Sequence, residues 1–161
     1  MKEVGEKFAD VSTQFVDLDK VPGSRFLFLA ALNALKSIRS DHPISKTLSM
    51  EILLYTSARR QITEAVRLVG ITPDTRRIAV FVVGQEEPSV ASAVELVSEN
   101  VGGASDDSIL DDWSPTRIRN VRSIFGVGTK ELEATLKKDE SVSLGIQRLA
   151  IEKSALLTIR K

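Results

Sequence analysis

Arg59, Arg60 and Gln61 form a polar knuckle inside the otherwise apolar-patterned stretch Met50–Ile71. Two guanidinium forks beside a carboxamide can grip phosphate, and a junction between helices adds free backbone N–H groups to the same spot. The alternative is a solvated helix surface in which Gln61 caps the second helix. Other residues with chemical potential are less well placed. Asp106-Asp107 and Asp111-Asp112 make a DDxxxDD arrangement that could hold magnesium. No phosphate-binding residues accompany them, and the spacing suits a turn and helix caps equally well. His42, the single histidine, stands beside Pro43 in a polar loop with no visible triad or zinc partners. Gly126-Val-Gly128-Thr-Lys130 lacks the order of a phosphate loop and follows a helix rather than a strand, so a helix stop followed by a new helix start explains it better. Trp113, before Ser114-Pro115, reads as packing over a helix start more readily than as a recognition aromatic. None of these residues assembles into a catalytic set.

The elements that must carry these residues follow from periodicity. Gln14–Leu18 alternates polar and apolar and is predicted as a first strand. Pro22-Gly23-Ser24 breaks it, and Ser24 is expected to cap a helix from Arg25 to about Ile38, with Phe26, Leu29, Ala30, Leu32 and Ile38 on its core face. Ser40–Pro43 is a loop. Ser49 opens a helix pair whose junction is the Thr56–Gln61 segment and whose end is Gly70. Arg77–Val83 is a β-branched, aromatic run expected to be a central strand. Further helices are expected from Pro88-Ser89 (Val90, Val94 and Val97 on one side), from Ser114-Pro115 to Gly126, from a Thr129 cap over Glu131–Lys138, and from Ser141 or Ser143. Gly102–Trp113 reads as loop and Ala155–Ile159 as a closing strand. Few strands and segregated helices make an α/β (mixed α+β) fold, a small mixed sheet packed with several helices, in a single domain over 1–161.

With 161 residues, 42% hydrophobic and 27% charged, the chain has an ordinary globular composition and enough length for one core. It contains no cysteine, which excludes disulfides and thiolate metal sites. The longest apolar run is far too short to cross a bilayer, and early Glu3 and Glu6 argue against a signal peptide, so a soluble cytoplasmic protein with no membrane partner is expected. Net charge is zero but unevenly placed. Gln85–Asp112 carries eight acids and no Lys or Arg, which leaves the rest of the chain at 14 acids against 22 bases. A basic face able to meet a polyanion is therefore compatible with neutrality.

The pattern Leu53-Leu54-Tyr55, Ser57, Arg60-Gln61-Ile62, Ala65 and Gly70-Ile71, followed by the apolar strand, resembles the regulatory subunit of the KEOPS tRNA-modification complex, known in eukaryotes as the PRPK-binding protein. Arg117–Glu133 (RIRNVRSIFGVGTKELE) and Leu144–Ile159 extend the likeness to about half the chain. The acidic segment Gly102–Asp112 departs from it. The resemblance implies a non-catalytic subunit without a cofactor. Its partners would be a kinase-like ATPase and the 3′ CCA end of tRNA, in a complex that installs threonylcarbamoyladenosine beside the anticodon. On that basis the tRNA-binding candidates are Arg59, Arg60 and Gln61, with Arg25 and Lys46 added from the motif's neighbourhood. The kinase-interface candidates are Ile62, Val66, Val69, Leu144 and Leu149, apolar residues on helices that a small sheet cannot fully cover. The competing readings are a small metal-dependent enzyme using the aspartate cluster and an unrelated structural adaptor.

Overall fold

The computed structural model describes residues 10–158. Two strands, β1 (Val11–Asp17) and β2 (Ile78–Gly84), pair antiparallel with Val11 opposite Gly84 and Asp17 opposite Ile78. Between them run α1 (Ser24–Ile38), α2 (Leu48–Ser57) and α3 (Ile62–Val69). After β2 come α4 (Glu87–Val101), α5 (Pro115–Phe125), α6 (Thr129–Thr135) and α7 (Val142–Ala155). The fold is mixed α+β, as the order of patterns implies.

The position of α2 decides the rest. Every residue from Glu51 to Ser57 is buried, because this helix, Glu51 apart, carries apolar or small side chains and packs on α1, α3, β1 and α7. Around it Val16, Phe26, Val69, Val121, Ile146 and Ala150 close one continuous core. Phe26 of α1 meets Phe125 of α5 edge to face, with ring centroids 5.3 Å apart. Glu51 lies inside this packing with no exposed surface. Its carboxylate accepts the hydroxyl of Ser37, the N–H of Ile44 (3.2 Å), and both the N–H and hydroxyl of Ser45 (2.8 Å each). Four donors satisfy the buried charge and tie the α1–α2 loop to both helices.

Several local expectations change. Ala155 closes α7 and Leu156–Thr158 is a 3-10 turn rather than a strand, while Ile159 lies outside the described residues. The physical reason is period: buried Ile146, Leu149, Ala150, Ser154 and Leu157 recur at helical spacing, and the last of them continues the stripe of α7. Among the described residues β2 pairs with β1 alone rather than lying between two strands. Its apolar run reflects cover on both faces, by α4 and by the core. Ser24 does not cap α1; Gly23 holds the cap position at φ 101°, and the Asp111 carboxylate accepts the Ser24 N–H at 3.0 Å and its hydroxyl. Thr47 rather than Ser49 caps α2, accepting the Met50 N–H at 3.4 Å. Thr129 follows the cap of α6, which is Gly128, and its hydroxyl accepts from Arg122 instead. Gly102–Trp113 contains a 3-10 turn at Asp107–Asp111, and on α4 Ala93 takes the inner position while Val94 is 42% exposed.

Candidate functional site

The α2–α3 junction is built by Ala58, which adopts the left-handed conformation at φ 52° and donates to the carbonyls of Leu54 and Tyr55. That reversal turns the chain outward at Arg59. The end of α3 is fixed differently. A Cβ at Gly70 would lie 2.4 Å from the carbonyl oxygen of Val66, so only glycine allows the chain to leave the helix so closely.

Arg59 is half-buried and fully engaged. Its Nε donates to Glu64 (3.0 Å), one terminal nitrogen to the Ala58 carbonyl (3.1 Å) and the other to the Ile124 carbonyl (2.9 Å) at the end of α5. Arg60 is exposed, but one nitrogen donates to the Leu157 carbonyl (3.0 Å) in the turn after α7. Both arginines thus sit where helices end and carbonyls lack intrahelical partners, an arrangement favoured by the negative ends of helix dipoles. Gln61 occupies the cap position of α3 without a capping bond from its side chain, and it is exposed. The knuckle is therefore a brace between three helices as well as a polar surface. A phosphate would meet Arg60 and Gln61 directly, and Arg59 only in competition with Glu64.

Arg25 lies at the same end of the helix bundle. Its neighbour Phe26 packs on Phe125 of α5, adjacent to the Ile124 carbonyl that Arg59 holds. Lys46 does not join them. It precedes α2, whereas the knuckle follows it, and the ten residues of that helix separate the two by about 15 Å.

The apolar candidates separate by burial. Ile62 and Val66 are 42% and 49% exposed on the outer face of α3, whereas Val69 is 0% and Leu149 5% exposed in the core. Leu144 is half-buried. Burial corrects the reading of Val69 and Leu149 as surface residues: both face the packed side of an amphipathic helix and hold the surface from beneath. Beside Val66 runs a groove of about 460 Å³ lined by Val11, Phe15, Met50, Leu53 and Ile71.

The remaining polar residues have local tasks. Asp106 caps the 3-10 turn through the Ser108 N–H, and the Ser108 side chain and N–H together lower its pKa. Asp111 holds the start of α1, and Asp112 accepts from Arg77 at 2.9 Å. Among the described residues no group of three or more His, Cys, Asp or Glu side chains is arranged to hold a metal. His42 is exposed. Gly126 ends α5 at φ 60° and Gly128 starts α6, as the GVGTK pattern suggests. Trp113 packs on the core and under the Arg117 guanidinium, 5.0 Å from its ring centre.

Arg117 is a residue that sequence reasoning passed over. It is fully buried, and it donates to the carbonyls of Val21 (3.0 Å), Ile109 (3.4 Å), Leu110 (2.7 Å) and Asp112 (2.6 Å). Burial lowers its pKa, with the nearby Arg77 charge adding to the effect. A signal was present: Arg117, Val121 and Ile124 share one face at helical spacing, so the arginine sits in line with the apolar stripe. Glu51, in line with Leu54 and Ala58, carries the same signal.

A family model described as "Kinase binding protein CGI-121" matches residues 1–157. The chain belongs to the CGI-121 family. A relative from Methanocaldococcus jannaschii named "Regulatory protein Cgi121" is 31% identical over 96 residues, which is 60% of this chain and 60% of that protein. The matched part thus spans less than two thirds of the relative's length.

Proposed function

We propose that this chain is a non-catalytic regulatory subunit that binds a kinase-like ATPase in a KEOPS-type assembly. In that assembly it also binds the 3′ CCA end of tRNA during threonylcarbamoyladenosine modification, in the cytoplasm. The observation that carries the reading is membership of a kinase-binding family over residues 1–157. The α3 face supports it: Ile62 and Val66 stand exposed, with Ile71 40% exposed at the helix end, above buried Ala65 and Val69. Contiguous apolar surface of this kind marks protein contacts more often than chance exposure does. The half-buried Leu144 on α7 is a candidate at a second contact.

Co-expression with the kinase-like subunit of the same assembly tests the reading. Wild-type chain is expected to co-elute with it, and Val66→Glu to lose at least about tenfold in affinity, since a charge buried at an interface core is costly. Because Val66 is exposed, the variant should unfold at the same denaturant concentration as wild type. A folded Val66→Glu chain that binds as well as wild type removes α3 from the interface. Failure of the wild-type chain to bind removes the kinase-binding role itself.

A further inference from the structure

Among the described residues the outer edge of β2 is unpaired, with apolar surface on its α1 side and mixed apolar and polar surface on its α4 side. One groove of about 380 Å³ lies against α1, lined by Leu27, Phe28, Ala31, Val80 and Val82. A second of about 400 Å³ lies against α4, where Val80, Val82, Val94 and Val101 share the lining with Ser98 and the Asp106-Asp107 turn. Phe28 is 68% exposed, Val94 42% and Val101 46%. The strand itself, Ile78–Gly84, carries no charge, proline or bulge of the sort that protects natural edges from pairing. The direction of its free groups follows from the ladder. The Arg77 carbonyl accepts the Leu18 N–H at 3.0 Å, one step beyond the Asp17–Ile78 pair, so it faces β1. By alternation Ala79, Phe81 and Val83 also direct their backbone groups to β1, and Ile78, Val80, Val82 and Gly84 direct theirs to the open edge. All four of these residues are partly exposed.

Charge selects the occupant. Arg76 and Arg77 precede the strand, and Glu86 and Glu87 follow it. Arg76 and Glu86 are both exposed and equally far from Phe81. In an antiparallel pair of two β2 strands centred on Phe81, Arg76 of each copy falls opposite Glu86 of the other. The same register places Val80 opposite Val82 and Ile78 opposite Gly84, matching outward backbone groups with outward backbone groups. A register shifted by one residue opposes inward and outward groups; a shift of two residues loses the Arg76–Glu86 match, and where it offers Arg77 to Glu87 instead, Arg77 is already engaged by Asp19 and Asp112. We propose that β2 pairs with β2 of a second copy of this chain. The result is an isologous dimer with a continuous four-stranded sheet, in which each Phe28 enters the α1-side groove across the two-fold axis. This goes beyond the kinase- and tRNA-binding reading and does not rest on it.

Light scattering and sedimentation of the full chain over the micromolar range test the proposal. Wild type is expected to approach twice 17.6 kDa as concentration rises. Phe28→Asp and Arg76→Glu, both at exposed positions, should each weaken dimerisation by about tenfold or more. The Arg76→Glu/Glu86→Arg double variant should recover it, because the charge match is restored with its sign reversed. Val82→Pro, which removes an outward N–H while leaving the β1 ladder its donors, should be monomeric. A wild-type chain that stays monomeric overturns the proposal, including one whose β2 edge gains amide protection only when another protein is added. Dimers unaffected by Phe28→Asp and Arg76→Glu, or not recovered by the charge swap, overturn it as well.

Discussion

A guanidinium set against four backbone carbonyls, as in Arg117, leaves those acceptors stranded if it is removed. Each buried acceptor without a donor costs about 1–3 kcal/mol, so Arg117→Met should destabilise the protein by about 3 kcal/mol or more in urea unfolding. Arg117→Lys should recover little, because one ammonium cannot span the carbonyls of Val21, Leu110 and Asp112 as a planar fork does. A loss below about 1 kcal/mol for Arg117→Met would mean that water replaces the fork. Ala58 illustrates the opposite sign. Its left-handed backbone costs an L-residue about 1–2 kcal/mol, and glycine recovers part of that against its greater unfolded-chain entropy. Ala58→Gly is therefore expected to raise stability by about 0.5–1 kcal/mol, read from the same urea midpoints. Destabilisation would instead assign the buried Ala58 methyl a packing role that outweighs the strain.

Between elements, the clip at the start of α7 responds to pH. Glu140 accepts two bonds from Arg148 (2.6 and 2.7 Å) and one from the Lys137 N–H (2.9 Å). The Arg148 bonds above all hold its pKa down to about 2, against 4.5 for an unperturbed glutamate. A depressed carboxylate stabilises the fold fully above its unfolded value and loses that contribution as pH falls through the folded one. The clip should thus stay intact until the pH nears 2, while its contribution to stability declines progressively from about 4.5 downward. Carboxyl NMR should give Glu140 a midpoint near 2 in wild type and a clearly higher one in Arg148→Ala, where the Lys137 N–H still lowers it; identical midpoints would detach the two residues. Elements of this kind were only partly legible in the sequence. The helix pair, Gly126 as a stop and the β2 run could be read because local pattern and chain geometry agree there. The strand proposed at Ala155–Ile159 failed because a short apolar run is compatible with either period until Leu157 is seen continuing the stripe of α7. The Asp111 cap on α1 was illegible for another reason: donor and acceptor are 87 residues apart, and local propensity carries no information about such a partner. Glu51 lay between these cases, visible as a charge within an apolar run but with donors in a loop that only folding brings to it.

At the scale of the whole molecule, Arg59 links three helices, and this separates its structural role from any role in binding. Arg59→Ala removes the bonds to Glu64 and to two carbonyls, so any loss of tRNA affinity it causes must be judged against a loss of stability of about 1–3 kcal/mol. Arg60 and Gln61 are exposed and give the cleaner test. If the knuckle meets an unpaired 3′ end, arginine would pair with phosphate or stack on a base, and glutamine would bond a base edge. Arg60→Ala should then weaken tRNA binding and flatten its salt dependence, lowering the slope of log affinity against log salt by about 0.7 for each phosphate that the guanidinium neutralises. Gln61→Ala should weaken binding without changing that slope, because it removes no charge. Removing the CCA tail should weaken binding to wild type and make little difference to a folded Arg59→Ala/Arg60→Ala chain. Arg25→Ala, at the same end of the bundle, should act in the same direction as Arg60→Ala, whereas Lys46→Ala, about 15 Å along α2, should leave tail discrimination unchanged. If the double variant is folded and still distinguishes tailed from tail-less tRNA as wild type does, the two arginines serve only to brace the ends of α5 and α7, and the tail is held elsewhere.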